Sequence, residues 1–143
     1  MSIKHAAWIH GTAVVLEESS WSALRQSFFT VVRPSKEATS GWVYFPVPTP
    51  VIVDGTRLRA ESAMVRFSTG LQASIGAVHI YDGEKKIGEH NATNYQGTLQ
   101  FIREAVPDQP LILCGTGISI LVNFNGSGPE AYIQLIGAGI DFY

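Results

Sequence analysis

Apolar and polar residues alternate along most of the chain in short runs, which is the pattern of β-strands. In the segment 117–124, every second residue from Ile118 to Phe124 is apolar, and Ser119 and Asn123 lie between them. Fourteen glycines and seven prolines separate such runs, and no long stretch repeats apolar residues at helical spacing. The pattern predicts one all-β domain over residues 1–143: an antiparallel, jelly-roll-like two-sheet β-sandwich with about nine to eleven short strands and at most one or two helical turns.

Eleven segments of the sequence fit strands by alternation and β-propensity. They are Ile3–His10, Thr12–Glu17, Gln26–Arg33, Gly41–Pro46, Arg57–Thr69 (as one strand or two), Ser74–Tyr81, Lys85–His90, Thr98–Arg103, Leu111–Cys114, Gly117–Phe124 and Ala131–Phe142. Two segments stay open. Residues 19–25 fit a short helical turn with a serine N-cap, and residues 98–106 fit a strand or two helical turns.

Turn residues define the predicted connections between strands. Asp54-Gly55 and Asp82-Gly83 each stand between two apolar runs, and both dipeptides suit type I′ hairpins, whose central residues need positive φ. The segment 46–50 has proline at every second position, so it lacks the N–H groups that a central strand needs. It predicts a sheet edge or a crossing between the sheets.

The composition adds a low charge density to this picture. Apolar residues make up 45% of the chain and charged residues 15%, below the usual ~25%. The late strands around residues 117–124 and 131–142 are apolar on both faces, which predicts that either a second layer or a partner subunit covers them. The main functional hypothesis is therefore a non-catalytic module that acts through self-association into a homo-oligomer or through docking to a partner.

The charge and the hydropathy pattern exclude other classes of partner. The formal net charge is −2, so the chain has no overall basic field for nucleic acid. No run approaches the ~18 apolar residues of a membrane-spanning helix. The first residues do not follow the pattern of a secretory leader, so a cytoplasmic location is the default expectation, with unconventional export left open.

Candidate catalytic and metal-binding residues are sparse. The histidines at 5, 10, 79 and 90 lack the two-residue spacing of jelly-roll metal sites, and the sequence leaves open whether they converge on a metal. Cys114 follows an apolar run and fits a small hydrophobic residue. No nucleophile elbow or phosphate-binding loop is present in the sequence. We therefore predict no catalytic residue, metal or cofactor, and a metal-dependent enzyme is the least favoured alternative.

Aromatic residues carry the second functional hypothesis. The three tryptophans and five tyrosines exceed what a small core must hold, and exposed aromatic rings on a β-sandwich can stack on sugar rings while amides bind the hydroxyl groups. A carbohydrate-binding, lectin-like module is therefore the alternative to self-association, and half-buried rings with satisfied polar tips are the structural alternative to both. The candidate ligand-binding residues are Trp42, Tyr44, Asn91, Asn94, Tyr95, Asn123 and Asn125.

Several motifs along the chain occur together in one family. They are Trp8–Thr12, Phe45–Gly55 followed by Arg57-Leu58, Ala77–Gly83, Gly115–Ser119 and Gly137–Phe142. The combination resembles a family of small bacterial all-β proteins with a domain of unknown function, over roughly residues 3–142. The resemblance implies a bacterial β-sandwich of about this length. It implies no activity, so no functional residue carries over from the family.

Overall fold

The computed structural model describes residues 2–143, in which nearly all regular structure is β-strand. The strands are β1 (His5–His10), β2 (Val15–Leu16), β3 (Ser22–Gln26), β4 (Phe29–Arg33), β5 (Thr39–Val47), β6 (Ile52–Val53), β7 (Thr56–Arg57), β8 (Ala60–Thr69), β9 (Ala73–Asp82), β10 (Lys85–Tyr95), β11 (Gln100–Ala105), β12 (Thr116–Phe124) and β13 (Ile133–Phe142). The one helical element in this range is a 3₁₀ turn, Gly11–Ala13. The predicted all-β class is confirmed.

Two antiparallel sheets pack face to face as a sandwich. Sheet A has the order β11-β8-β13-β4-β3, with β1 also paired to β13. Sheet B has the order β10-β9-β12-β5-β2. Strands β6 and β7 form a separate small hairpin. The predicted antiparallel sandwich is confirmed, although it has more strands than the alternation indicates because three of them are only two residues long.

Strand β12 shows how alternation builds the core. Its residues from Thr116 to Phe124 are buried at every second position, and Ile118 and Ile120 are almost fully inaccessible. Ile120 pairs with Val43 of β5 on one side and with Val78 of β9 on the other, so three strands contribute to one buried layer. The intervening residues of β12 face outward, and they form the centre of the outer face of sheet B.

Strands β10 and β11 close one side of the sandwich, because each is the edge strand of a different sheet. The His90 ring on β10 contacts Glu104 (3.2 Å) and the carbonyl oxygen of Ala105 (2.7 Å) on β11. Tyr95 donates a hydrogen bond to Glu104 from the same side. The backbone N–H of Thr69 then bonds the carbonyl of Gly97 just after β10. The side chains of the two edges thus tie sheet B to sheet A.

Several local predictions are wrong. Residues 22–26 form strand β3 instead of a helical turn, because they pair with Phe29–Arg33 in a tight hairpin. The predicted strand 26–33 is consequently split by the turn at residues 27–28. Residues 111–114 are not a strand: one isolated bridge joins Leu111 to Arg59. Strand β10 continues to Tyr95, beyond the predicted end at His90.

The two aspartate-glycine turns differ from each other. Asp54 (φ 52°) and Gly55 (φ 75°) both have positive φ and connect β6 to β7, which confirms the predicted type I′ geometry. In the second turn Asp82 pairs with Lys85, so the central residues are Gly83 and Glu84, and only Gly83 (φ 56°) has positive φ. This pattern fits a type II′ turn, and it leaves Asp82 at the end of β9 with its side chain buried.

Candidate functional site on the outer face of sheet B

The outer face of sheet B carries two facing rows of aromatic side chains. Trp42 and Tyr44 project outward from β5, because they alternate with the buried Val43 and Phe45. Across the sheet, outward residues of β9 include His79 and Tyr81. The register pairs Tyr44 with Ser119 of β12, and Ser119 with His79.

Small residues of β12 lie between these two rows. Ser119 stands between Tyr44 and His79, and Gly117 stands between Pro46 and Tyr81, so the middle of the sheet is lower than its flanks. The resulting trough encloses about 320 Å³. Its lining residues are Glu17, Trp42, Tyr44, His79, Tyr81, Lys86 and Ser119. The trough therefore combines flat aromatic rings with hydroxyl, carboxylate and ammonium groups.

Trp42 and His79 meet across the trough. Their ring centroids lie 4.8 Å apart with the planes tilted by 44°. Asn91 fixes the imidazole: its Nδ2 donates to Glu89 (2.8 Å), which directs its Oδ1 toward Nε2 of His79 (2.7 Å). In the neutral ring Nε2 therefore carries the proton, and Nδ1 is an acceptor. Asn91 thus contributes to this surface by orienting His79.

Charged groups stand at the two sides of the trough. The Tyr44 hydroxyl donates to the carboxylate of Glu17; this hydrogen bond, with partial burial and the negative charge of Glu17, raises the pKa of Tyr44 to about 12. On the opposite side Lys86 forms an ion pair with Glu89 at 3.1 Å. The hydrogen bond from Asn91, and to a smaller extent the one from Lys86, holds the pKa of Glu89 below its usual value. The surface therefore carries both signs of charge with no strong excess of either.

The predicted asparagines lie at one end of the same face. Asn123 pairs in register with Ser40, whose hydroxyl donates to Asn123 Oδ1 at 2.6 Å. Asn123, Asn94 and Asn125 line a shallow concavity of about 190 Å³ together with Gln96. From Gly117 to Asn123 the outer face of β12 extends roughly 20 Å, at about 3.4 Å per residue. The amide-rich end and the aromatic trough are thus parts of one continuous strand face.

Tyr95 lies apart from these residues. It pairs in register with Ile75, whose side chain is fully buried, and its ring packs against the core on the inner side of sheet B. Its hydroxyl donates to Glu104, and this bond, followed by burial and the Glu104 charge, raises the pKa of Tyr95 to about 12. Of the predicted residues, Trp42, Tyr44, Asn91 and the three other asparagines therefore share the outer face of sheet B, and Tyr95 does not.

Sequence reasoning missed several members of the trough: Glu17, His79, Tyr81, Lys86 and Ser119. The available signal was the alternation of β9, which places His79 and Tyr81 on one face, although it does not say which strands lie opposite. Within residues 2–143, no three His, Cys, Asp or Glu side chains come together as metal ligands would. His5 lies on the inner side of β1 and His10 on its outer side, while His79 and His90 are on other strands.

Comparison with solved structures defines the class of fold. The chain is similar to a low-affinity xylan-binding module, CBM86, from Roseburia intestinalis (TM-score 0.58, 8% identity, 97% of this chain and 96% of that one). It is also similar to a family 29 carbohydrate-binding module from Piromyces equi (TM-score 0.52, 9% identity, 95% and 90%) and a family 35 module from Clostridium thermocellum (0.52, 8%, 95% and 97%). At these identities the similarity establishes the β-sandwich fold.

The sequence itself gives the family. The chain belongs to DUF6623, a family of unknown function, which matches residues 2–143. The resemblance inferred from the motifs is confirmed in this respect. No curated protein matches the sequence. In the described part of the chain, no helix is long and apolar enough to cross a membrane.

Proposed function

We propose that this protein is a carbohydrate-binding module and that the trough on the outer face of sheet B is its binding surface. The observation that carries the proposal is the half-exposed pair Trp42 and Tyr44 on β5, which faces His79 of β9 across β12. Aromatic rings offer flat apolar surfaces for the C–H face of a pyranose ring. The fold that the chain shares with xylan-binding and other carbohydrate-binding modules supports the same function.

Hydrogen-bonding groups beside the rings suit sugar hydroxyl groups. Nδ1 of His79 is an acceptor, the Ser119 hydroxyl both donates and accepts, and Glu17 offers a carboxylate already oriented by Tyr44. At the other end of the face, Asn94, Asn123 and Asn125 offer amides. Since Lys86 is neutralised by Glu89, the surface suits an uncharged glycan. The roughly 20 Å strand face has room for several linked sugars.

Titration of the full chain against a panel of soluble neutral polysaccharides and their oligosaccharides tests this proposal. We expect Trp42→Ala to weaken binding about tenfold or more, because a central aromatic anchor contributes most to such contacts. The matched control is Trp8→Ala, which removes an exposed tryptophan from the opposite sheet and should leave the affinity unchanged. If no glycan of the panel binds, or if Trp42→Ala binds as tightly as the natural sequence, the proposal is wrong.

Self-association is the second candidate function. The exposed side chains of Leu24 and Phe28 on the β3–β4 hairpin favour it, because each is more than half accessible at a sheet edge. The apolar outer side of β13 supports self-association less than the sequence suggested, because Trp8 of the same chain already covers its glycines. Light scattering on the eluted protein decides this point. A strict monomer throughout the micromolar range would contradict self-association.

A further inference from the structure

The outer face of sheet A carries a second aromatic surface, with no residue in common with the first. Trp8 on β1 pairs in register with Gly139 of β13, and its ring lies over the glycines of that strand. A Cβ atom added at Gly139 would come within 2.6 Å of the indole, and one at Gly137 within 3.6 Å. The Gly-Ala-Gly sequence 137–139 therefore provides the space in which the indole lies.

Phe101 extends this surface from the other side. Trp8 and Phe101 stand on strands three positions apart in the sheet, a separation of roughly 14 Å between strand axes. Their ring centroids nevertheless approach to 5.8 Å with the planes tilted by 40°, because Trp8 lies across the glycines. Trp8 is 43% exposed and Phe101 50% exposed. Together with Ile136 they line a groove of about 480 Å³.

The charge of this groove differs from that of sheet B. Arg66 and His10 are the ionisable residues that line it. Arg66 lies in register between Phe101 and Gly137, and its Nη1 donates to the carbonyl of Leu99 at 2.7 Å. Within residues 2–143 no carboxylate lies in ion-pair distance of Arg66. Further along β13, Asp141 is paired with Arg103 at 2.7 Å. The groove thus offers an uncompensated guanidinium beside two exposed rings.

We propose that this groove is a second binding site and that it takes a glycan bearing uronic-acid carboxylates. The indole of Trp8 would stack on the apolar face of the sugar ring, and Arg66 would bind the carboxylate through the N–H groups that Leu99 does not use. The groove offers few hydroxyl or amide partners for a neutral sugar. The charge complementarity of Arg66 therefore selects the acidic ligand.

The site goes beyond the function proposed for sheet B and does not depend on it. The two surfaces lie on opposite outer faces of the sandwich, whose sheets are about 10 Å apart. One molecule could therefore hold a neutral and an acidic glycan at the same time, and so connect two polysaccharide chains. Binding at both sites to one mixed polymer would add avidity.

Calorimetric titration of the full chain with tetragalacturonate, and with its methyl ester as the uncharged counterpart, tests the second site. We expect the acid to bind about tenfold or more tightly than the ester, and Arg66→Gln to remove that preference, since hydrogen bonds to charged groups are the stronger ones. Trp8→Ala should weaken binding of the acid. The matched control is Arg59→Gln, because Arg59 also donates to a backbone carbonyl, that of Gln109, but lies outside the groove.

Each other outcome overturns the second site. The proposal is wrong if the acid does not bind, or if the acid and the ester bind equally. It is also wrong if Arg66→Gln and Trp8→Ala both leave the affinity for the acid unchanged. Loss of acid binding in Trp42→Ala with retention in Trp8→Ala would assign the acidic sugar to sheet B. A dimer that Trp8→Ala converts to a monomer would show that a second copy of the chain covers the groove. None of these results bears on neutral glycan binding at Trp42, so the two proposals fail separately.

Discussion

The indole of Trp42 and the imidazole of His79 lie in contact across strand β12, although 36 residues lie between them in the sequence. The contact depends on the sheet order β9-β12-β5, which places the last of these strands in the sequence between the two earlier ones. In register, Ser119 of β12 pairs with His79, and Leu121 of β12 pairs with Trp42, so the two rings approach each other diagonally across β12. The candidate surface thus arises from three segments that no local pattern connects.

The three tryptophans should differ in solvent contact. Trp8 and Trp42 lie on opposite outer faces, whereas Trp21 is 6% exposed and packs edge-on against Phe124 with centroids 5.0 Å apart. We expect acrylamide to quench most of the natural protein's fluorescence. The double variant Trp8→Phe/Trp42→Phe should retain only a blue-shifted, weakly quenched emission from Trp21. Quenching of this variant equal to that of the natural sequence would contradict the assigned positions.

The Tyr44 hydroxyl should titrate late because of Glu17. Its pKa is raised to about 12 by the hydrogen bond to Glu17, partial burial and the Glu17 charge. We expect Glu17→Gln to lower the Tyr44 pKa toward the ordinary value of about 10, measured by NMR of the ring carbon Cζ. Glu18→Gln is the matched control, since Glu18 bonds Ser20 instead. A Tyr44 pKa that is the same in Glu17→Gln and the natural protein would disprove this link.

Asp82 should stabilise the fold through its backbone contacts. Burial acts to raise its pKa, but hydrogen bonds from the backbone N–H groups of Leu113, Cys114 and Gly115 outweigh it and lower the pKa. We expect Asp82→Asn to reduce the free energy of unfolding by about 1–3 kcal/mol at pH 7, measured in urea. Asp54→Asn, at an exposed hairpin turn, is the control and should change little.

The pH dependence of this contribution follows from the direction of the shift. Because the folded-state pKa of Asp82 lies below the unfolded value of about 3.9, its stabilisation is complete above that value and is lost as the pH falls through the folded-state pKa. The difference in unfolding free energy between Asp82→Asn and the natural protein should therefore shrink in strong acid. A difference that stays constant down to about pH 2 would contradict the proposed charge effect.

Gly139 should tolerate no side chain. An added Cβ would lie 2.6 Å from the Trp8 ring and 2.8 Å from the backbone oxygen of Ala7, and the paired strand β1 holds that oxygen in place. We expect Gly139→Ala to cost about 1–3 kcal/mol of unfolding free energy. Gly115→Ala is the matched control, because nothing lies within 4 Å of its Cβ position. Equal stability of the two variants would show that Trp8 does not depend on the glycine.

Most of the strands could be predicted from alternation, because residues buried on one face repeat with period two. The errors arose where tertiary pairing overrides local preference. Ser-Ala-Leu-Arg-Gln at 22–26 contains good helix formers, yet it pairs with β4 as an edge strand. Residues 91–94 have the polar composition of a loop, yet they continue β10 through a bulge at which Ala92 has φ 55°.

The same bulge explains which site residues the sequence could place. Trp42 and Tyr44 are two apart on a regular strand, so their shared face follows from alternation. Asn91 and Tyr95 are four apart and should share a face too, but the register shift between them turns Tyr95 toward the core. Arg66 illustrates a second limit. Alternation does not give the partners of Arg57, Arg59 and Arg66, whose side chains all donate to backbone carbonyls of loops.

The side-chain contacts between the edge strands β10 and β11, made by His90, Tyr95 and Glu104, affect how the protein can aggregate. An unpaired strand edge can recruit a strand from a neighbouring molecule and so begin fibril growth. Because His90 and Glu104 tie these two edges together, the other sheet edges at which a strand could be added are those of β1, β2 and β3. Strand β2 has only two residues, and β3 carries Arg25. Loss of the contacts between His90 and Glu104 would free the longer edges of β10 and β11 as well, and should therefore make concentrated solutions of the chain more prone to amyloid-like aggregation.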